Sequence, residues 1–431
     1  MRWLLLPIAG IWLHAATMTQ LFDALAKQPQ TRLNETRSQL AELGVKRAKD
    51  RFWPSLSLFA SFEHYNSPTN LRPMSPTESA KMSAEGNPLP FATTIERLGA
   101  RVSLPLFAKE LFSLSRQAEA MAESAKAKER LDFLQNEALL VGADASWRHL
   151  RRLEAALKAR MRSIEKTRRD TEIKVQSGRA PGIALDKLDE GLNRLRITLN
   201  DLHAQESLLK SRIEALTGMR LENPAPLTAV QEAIEEGELF AITPLRHLLK
   251  AQSHAAEAAK DRLYPKVVAD AYWSENYGQN AVAPLGPLAA NASDDVHRGY
   301  GRYMVGLTMP LFEKGLHTDI ERAEVRLREA QLKLAQTRQE LEAKAGALRE
   351  SLALARRSRE LAQKSVQNEK NLLAYAKVAY ETGRLSEEEY LRYEEGMFAA
   401  QSKQAEAEAA WWQTLAQLAV IYGSDLREIV K

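Results

Sequence analysis

The sequence predicts a mainly α-helical, internally duplicated protein with a small β portion, and three observations predict it. Gly178 and Gly383, Pro105-Leu106-Phe107 and Pro310-Leu311-Phe312, and Gly218 and Gly423 all stand 205 residues apart. Two stretches, 108–177 and 313–382, contain no proline. Four further segments alternate apolar and polar residues with the period of a strand. A repeat this long exceeds solenoid periods and marks a duplicated domain.

The 431 residues hold 60 Lys and Arg against 56 Asp and Glu, and the two signs alternate along the helical runs. That pattern describes solvated helix faces rather than a nucleic-acid surface. The densest basic stretch, Arg148 to Arg169, is interrupted by Glu154 and Glu165. The chain has no cysteine. Disulfides, thiolate metal sites, cysteine nucleophiles and lipid attachment through an N-terminal cysteine are therefore excluded. Residues 1–15 read as a secretory signal: Arg2, an apolar run from Trp3 to Leu13, then Ala15-Ala16. The run is too short to span a membrane, and the alternative is a buried N-terminal helix. No later run approaches eighteen apolar residues, so an exported chain of this kind is soluble or a β-barrel.

The first repeat spans 16–218. Leu21 to Phe52 is expected as a helix on the spacing of Leu21, Leu25, Leu33, Leu40 and Leu43, ending at Trp53-Pro54. A strand at about 54–65 turns Leu56, Leu58, Ala60 and Phe62 one way, with Phe59 the exception to the alternation. An exposed connection without a core of its own is expected from Asn66 to about Thr94. A second strand, about 95–107, places Leu98, Ala100, Val102 and Leu104 on one face. The helical hairpin 108–217 follows, and a helix of this length would reach about 105 Å at 1.5 Å per residue. Leu114, Ala118, Met121 and Ala125 follow coiled-coil spacing. Gly178 stops the helix and Pro181 lets the next begin.

Residues 219–243, with Asn223-Pro224-Ala225-Pro226 and an acidic run, read as the inter-repeat link. The second repeat, 244–431, gives a helix, strands at about 266–277 and 299–312 separated by an exposed loop at 278–298, and the helical hairpin 313–422. Its long helix has the clearest seam, Ile320, Ala323, Leu327, Ala330 and Leu334, resuming at Leu341, Ala345, Leu348, Leu352 and Ala355.

Four strands with one apolar face have the alternation of tilted membrane-spanning strands. Such strands must close into a barrel, and four cannot close. Three copies would give twelve strands and an open lumen above a ring of helices. The order helix, Pro-started strand, strand ending Pro-Leu-Phe, long helix, Gly turn and helix ending in Gly, given twice, resembles the TolC-type outer-membrane efflux proteins. The residues that carry the resemblance are Trp53-Pro54-Ser55-Leu56 and Tyr264-Pro265, Val102 to Phe107 and Leu307 to Phe312, and Gly178-Arg179 and Gly383-Arg384.

The resemblance implies a homotrimer in the outer membrane with a twelve-stranded β-barrel in lipid and a periplasmic α-helical tunnel. It implies a passive exit duct, joined by a periplasmic adaptor of the membrane fusion class to an inner-membrane pump of the RND, ABC or a similar class, or serving type I secretion. It implies that the turns Gly178, Arg179 and Pro181, and Gly383, Arg384 and Leu385, meet the adaptor. Acids placed after the turns, Asp186, Asp189 and Glu190 and then Glu389, Glu394 and Glu395, are the candidate lumen ring at the periplasmic gate. A carboxylate ring there favours cations; the alternative is that these are N-terminal helix acids favoured by the macrodipole. No catalytic residue, metal set or cofactor is implied: the histidines lack metal-ligand spacing and no P-loop occurs. The rival reading is a periplasmic coiled-coil adaptor or structural protein without a channel.

Overall fold

The computed structural model describes residues 16–87, 89–231, 234–235, 237–281 and 296–431. The signal segment expected at 1–15, and most of the loop expected at 278–298, lie outside them.

Helix α1, Met18–Ala26, opens with a capping box in which Thr17 accepts from Gln20 N and Gln20 accepts from Thr17 N. Helix α2 is Pro29–Asp50. The single helix expected from Leu21 to Phe52 is thus two. Pro29 supplies no N–H and disfavours the α region at Gln28, so the chain breaks there and restarts with proline in the first turn. The freed Gln28 side chain donates to Thr217 O.

Strand β1, Ser55–Asn70, is followed by helix α3, Pro76–Ala84, capped by Ser75, and by strand β2, Phe91–Phe107. Helix α4, Lys109–Gln176, and helix α5, Ile183–Thr217, make the first hairpin. A turn of 3-10 helix at Phe240–Ile242 leads into α6, Thr243–Asp261, then β3, Lys266–Ala281, and β4, Val296–Thr308. Helix α7, Lys314–Glu381, and helix α8, Glu387–Tyr422, make the second hairpin, and a short α9, Leu426–Ile429, follows. The long helices α4 and α7 begin at equivalent positions of the two repeats, Lys109 and Lys314, and both run for 68 residues. Both return helices end on a left-handed glycine, Gly218 at φ 69° and Gly423 at φ 79°. No described helix is long and apolar enough to cross a membrane.

The strands form one antiparallel sheet in the order β1-β2-β3-β4. Three of them run longer than their alternation suggested, and β4 ends at Thr308, opposite Lys266, where β3 begins. Pro310-Leu311-Phe312 therefore lies beyond the strand, whereas Pro105-Leu106-Phe107 lies within β2. The connection from 66 to 94 also differs from expectation. It contains α3 and contributes Leu71 and Ala92 to a small buried cluster with Ile95 and Val296.

The chain divides into two compact units. One comprises the described residues up to Gln39, Ser124–Arg246 and Lys333–Lys431. Its core gathers Met18, Leu21, Phe22 and Leu25 of α1, Leu140 and Trp147 of α4, Ile213 of α5, and Trp411, Trp412 and Leu415 of α8. Described residues of the inter-repeat segment 219–243 pack on this core. Ala225 is buried, and Thr228 and Lys431 exchange backbone hydrogen bonds of 2.8 and 3.0 Å. An antiparallel bridge between Ala229 and Val430 completes the contact. Three acids of α4 are buried in the same unit, Glu154 beside Lys158 at 2.6 Å and two more deeply. Glu137 meets Arg427 Nε at 3.1 Å, and Asp144 accepts the Ala225 N–H at 2.8 Å. Burial outweighs these partners and pushes the Glu137 and Asp144 carboxyls up to about 7.

The other unit, Leu40–Glu123 and His247–Leu332, holds the sheet and the helical segments that carry it. Phe52 packs on Phe112 with ring centroids 5.0 Å apart. Nearly buried Asp261 takes an ion pair from Lys109 at 3.0 Å and the hydroxyl of Ser113.

Candidate functional site

The two turns are built alike. Gly178, at φ 72°, donates its N–H to Val175 O at 3.0 Å, and Arg179 N reaches back to Lys174 O at 2.7 Å. Gly383, at φ 73°, donates to Tyr380 O at 2.9 Å, and Arg384 N to Ala379 O at 2.8 Å. Each donor and acceptor of these bonds in the first turn has its counterpart at the equivalent position of the second. A Cβ at either glycine would meet no atom within 4 Å, so the left-handed backbone, and not crowding, calls for glycine. Arg179, Pro181 and Arg384 are exposed and Leu385 is half-buried. Exposed Ile173, Ile183, Tyr375 and Val378 stand close by in the sequence.

The helices leaving the turns begin differently. Gly182, before α5, makes no side-chain cap, and Pro181 O instead accepts from Ala184 N at 3.0 Å. Before α8, Ser386 and Glu389 form a capping box. The Ser386 backbone N–H, then its hydroxyl, hold the Glu389 carboxyl below the usual carboxylate range.

The structure gives each proposed lumen acid a different setting. Asp186 and Glu190 are exposed, and Glu190 pairs with Arg194 one turn on at 2.8 Å. Asp189 receives both Nε and Nη2 of Arg168, at 2.6 and 3.3 Å, a fork that closes the first hairpin on itself and lowers the carboxyl's pKa. Glu389 is the cap. Glu394 and Glu395 reach across to α4, pairing with Arg162 at 3.2 Å and Arg160 at 3.6 Å. Lys166 of α4 likewise meets Glu387 at 2.8 Å, which raises the lysine's pKa. The basic stretch Arg148 to Arg169 is thus a row of partners for α8, as well as a solvated face. Local spacing does not reveal this row, because its acids belong to the other repeat.

The second feature is the sheet. Leu56, Val102, Ala271 and Tyr303 share one row, and Leu58, Ala100 and Trp273 the next, so the apolar residues of all four strands lie on one face. That face is uncovered: Leu58 is 80% exposed, Tyr303 88% and Val305 68%. Strands β1 and β4 each pair on one side only among the described residues. The opposite face carries Ser57, Arg101, Tyr272 and Arg302 in one row and Ser61, Arg97, Asn276 and Arg298 in another.

Comparison with known proteins agrees with this geometry. Residues 240–424 match the family model of the outer membrane efflux proteins. The crystal structure of the Campylobacter jejuni CmeC outer membrane channel aligns with a TM-score of 0.71 at 15% identity, over 94% of this chain and 85% of that one. The outer membrane protein VceC of Vibrio cholerae aligns at 0.69 and 17% identity, over 94% and 96%. The open state of the Neisseria gonorrhoeae MtrE outer membrane channel aligns at 0.65 and 16%, over 94% and 88%. No curated protein matches the chain by sequence. Residues 240–424 thus carry the pattern of the outer membrane efflux proteins, and the described chain has the fold of TolC-type outer-membrane channels, as its motifs led us to expect.

Proposed function

We propose that the protein is an outer-membrane exit duct that passively conducts substrates delivered by an inner-membrane pump and a periplasmic adaptor. The observation that carries this reading is the open four-stranded sheet with an uncovered apolar face. Its two unpaired edges in lipid would cost several kcal/mol for each orphaned backbone group. Three copies joined β4 to β1 close twelve strands, turn the apolar face to lipid and turn the arginine-bearing face to a lumen. The helical hairpins of the same three copies form the periplasmic tunnel. Domain by domain, 16–218 and 244–431 each supply two strands and one hairpin to this assembly, with 219–243 between them and residues 1–15 as the leader.

The adaptor docks at Gly178, Arg179 and Pro181 and at Gly383, Arg384 and Leu385. These turns have duplicated backbone geometry and differently capped outgoing helices, so a helical hairpin of a partner finds six seats of two kinds per trimer. Of the acids beyond the turns, Asp186 suits a charged lumen ring best, since Asp189, Glu190, Glu389, Glu394 and Glu395 are engaged within the chain. The test is direct. Full-length protein expressed in a Gram-negative host should fractionate with the outer membrane, leave it only in detergent, run as a trimer by native mass spectrometry and conduct in planar bilayers. A monomer in periplasmic extract would sink the duct and favour the coiled-coil adaptor. Because the chain has no cysteine, Arg179→Cys or Arg384→Cys with a thiol crosslinker reads adaptor contact without background.

A further inference from the structure

We propose that the arginine-bearing face of the sheet holds a binding site for aromatic carboxylates. The site is a cleft of about 580 Å³ lined by Arg97, Arg101, Arg302, Tyr272 and Tyr300 together with Arg72 and the segment beside it. Glu63 is the acid among the lining residues. It is engaged by Arg97 Nε at 3.3 Å, and Arg72 is engaged by Glu78 at 2.6 Å. Arg101 and Arg302 have no carboxylate at ion-pair distance among the described residues.

The register places these two arginines on either side of Tyr272, each directly opposite it on a neighbouring strand. Strands lie about 4.8 Å apart, so the two backbones stand roughly 10 Å from each other. Tyr272 stands between them in the same row, so a ligand's aromatic ring would lie over the tyrosine with a guanidinium on either side. The aromatic surface is already assembled. Phe59 stacks on Tyr272 with centroids 5.2 Å apart and planes 22° apart, and Tyr272 meets Tyr300 at 6.0 Å and 55°. Gly99 makes this ladder possible, since a Cβ there would lie 2.6 Å from the Phe59 ring. The Arg101 guanidinium sits 5.7 Å from the Tyr272 centroid. A planar fork beside a ring face suits a ligand that offers both a flat π surface and two carboxylate oxygens. The same face holds unmet polar groups: Ser274 Oγ and both amide atoms of Asn276 are buried without a hydrogen-bond partner among the described residues.

The proposal deepens the duct reading by naming a class of molecule that pauses on the way out, but binding itself does not depend on conduction. Two measurements on the full-length detergent-extracted protein separate the two. Isothermal titration should show benzoate binding at least 10-fold tighter than cyclohexanecarboxylate or inorganic phosphate, with Arg101→Ala plus Arg302→Ala weakening it 10-fold or more. Arg101→Lys should recover less than half of the loss, because an ammonium lacks the fork. In planar bilayers, benzoate should block the current of wild-type protein and not that of the double variant. Equal binding of benzoate and phosphate, or benzoate binding that survives the double substitution, overturns the site whether or not the protein conducts. Conduction without selective block by benzoate also overturns it and leaves the duct intact. Absence of any current, with selective benzoate binding retained, counts against the duct and supports the site.

Discussion

The two long helices, α4 and α7, are copies of equal length in equal positions of the repeat, yet they treat their apolar residues oppositely. Helix α4 buries Leu134, Leu140, Val141, Trp147 and Ala159, and with them the acids Glu137, Asp144 and Glu154. Helix α7 uses one line of its surface within the chain, the seam through Ile320, Leu327, Leu334, Leu341, Ala345 and Ala355, which is half-buried or buried along its length. It leaves a second stripe uncovered. Val325 and Leu332 lie seven residues apart, as do Leu354 and Leu361, and these four and Tyr375 are all 60% exposed or more. Seven-residue spacing is that of a second coiled-coil contact. Duplication supplied two equivalent helices; divergence made one a core element of the subunit and left the other with an apolar stripe that nothing among the described residues covers.

The comparison breaks most visibly at Trp147, whose indole N–H also donates to Glu206 at 2.9 Å. Trp147→Ala should destabilise the subunit by about 3–5 kcal/mol, read as a lowered unfolding midpoint in denaturant. Charges placed on the α7 stripe, Leu332→Glu with Leu361→Glu, should leave that midpoint within about 0.5 kcal/mol, as surface changes do, while native mass spectrometry shows loss of the trimer. A trimer unaffected by the pair would mean that the stripe faces solvent.

Smaller effects sharpen the comparison at the turns. Gly383→Val places a β-branched residue at φ 73°. It should cost about 1–2 kcal/mol locally, impair transport and spare the trimer, and Gly178→Val should match it. Ser386→Ala removes a cap worth about 1 kcal/mol and should speed amide exchange at 387–390. No single residue before α5 should have that effect. The depressed Glu389 carboxyl gives this cap a pH signature: its contribution is present above the unfolded pKa and fades as pH falls through the lower folded value. The two most deeply buried acids of α4, Glu137 and Asp144, act in the opposite sense. With both raised to about 7, their contribution is full below the unfolded values near 4.5 and 3.8 and is lost as pH climbs to about 7. Glu137→Gln should flatten part of that decline in a stability profile between pH 4.5 and 7, Arg427 keeping Asp23 and Phe22 O.

Much of this was legible in the sequence because it depends on local period. The strand faces, the α7 seam and the two glycine turns follow from spacing alone. Even Phe59, the one residue that broke its strand's alternation, marked something real: it lies on the arginine face, stacked over Gly99. What spacing could not show were contacts between distant segments. The pairing of Arg160, Arg162 and Lys166 with acids of α8, and the packing of 219–243 against the last residues, have no local signature. The break at Pro29 was legible and was overridden by an apolar period that continued on both sides of it.

The order of the strands in the sheet bears on how the chain reaches its structure. The central pair joins β2, from the first repeat, to β3, from the second, so the whole first helical hairpin, the link and α6 lie between Phe107 and its partner Val267. Neither half of a newly made chain can therefore complete the sheet by itself. The β1-β2 hairpin emerges with Leu56, Leu58 and Leu98 bare and waits for all of that chain before β3 arrives. Non-local pairing of this kind folds slowly, since the closure entropy of a long loop comes before any contact rewards it. During that interval an exported chain would depend on a holding chaperone to keep the hairpin from pairing with the wrong edge.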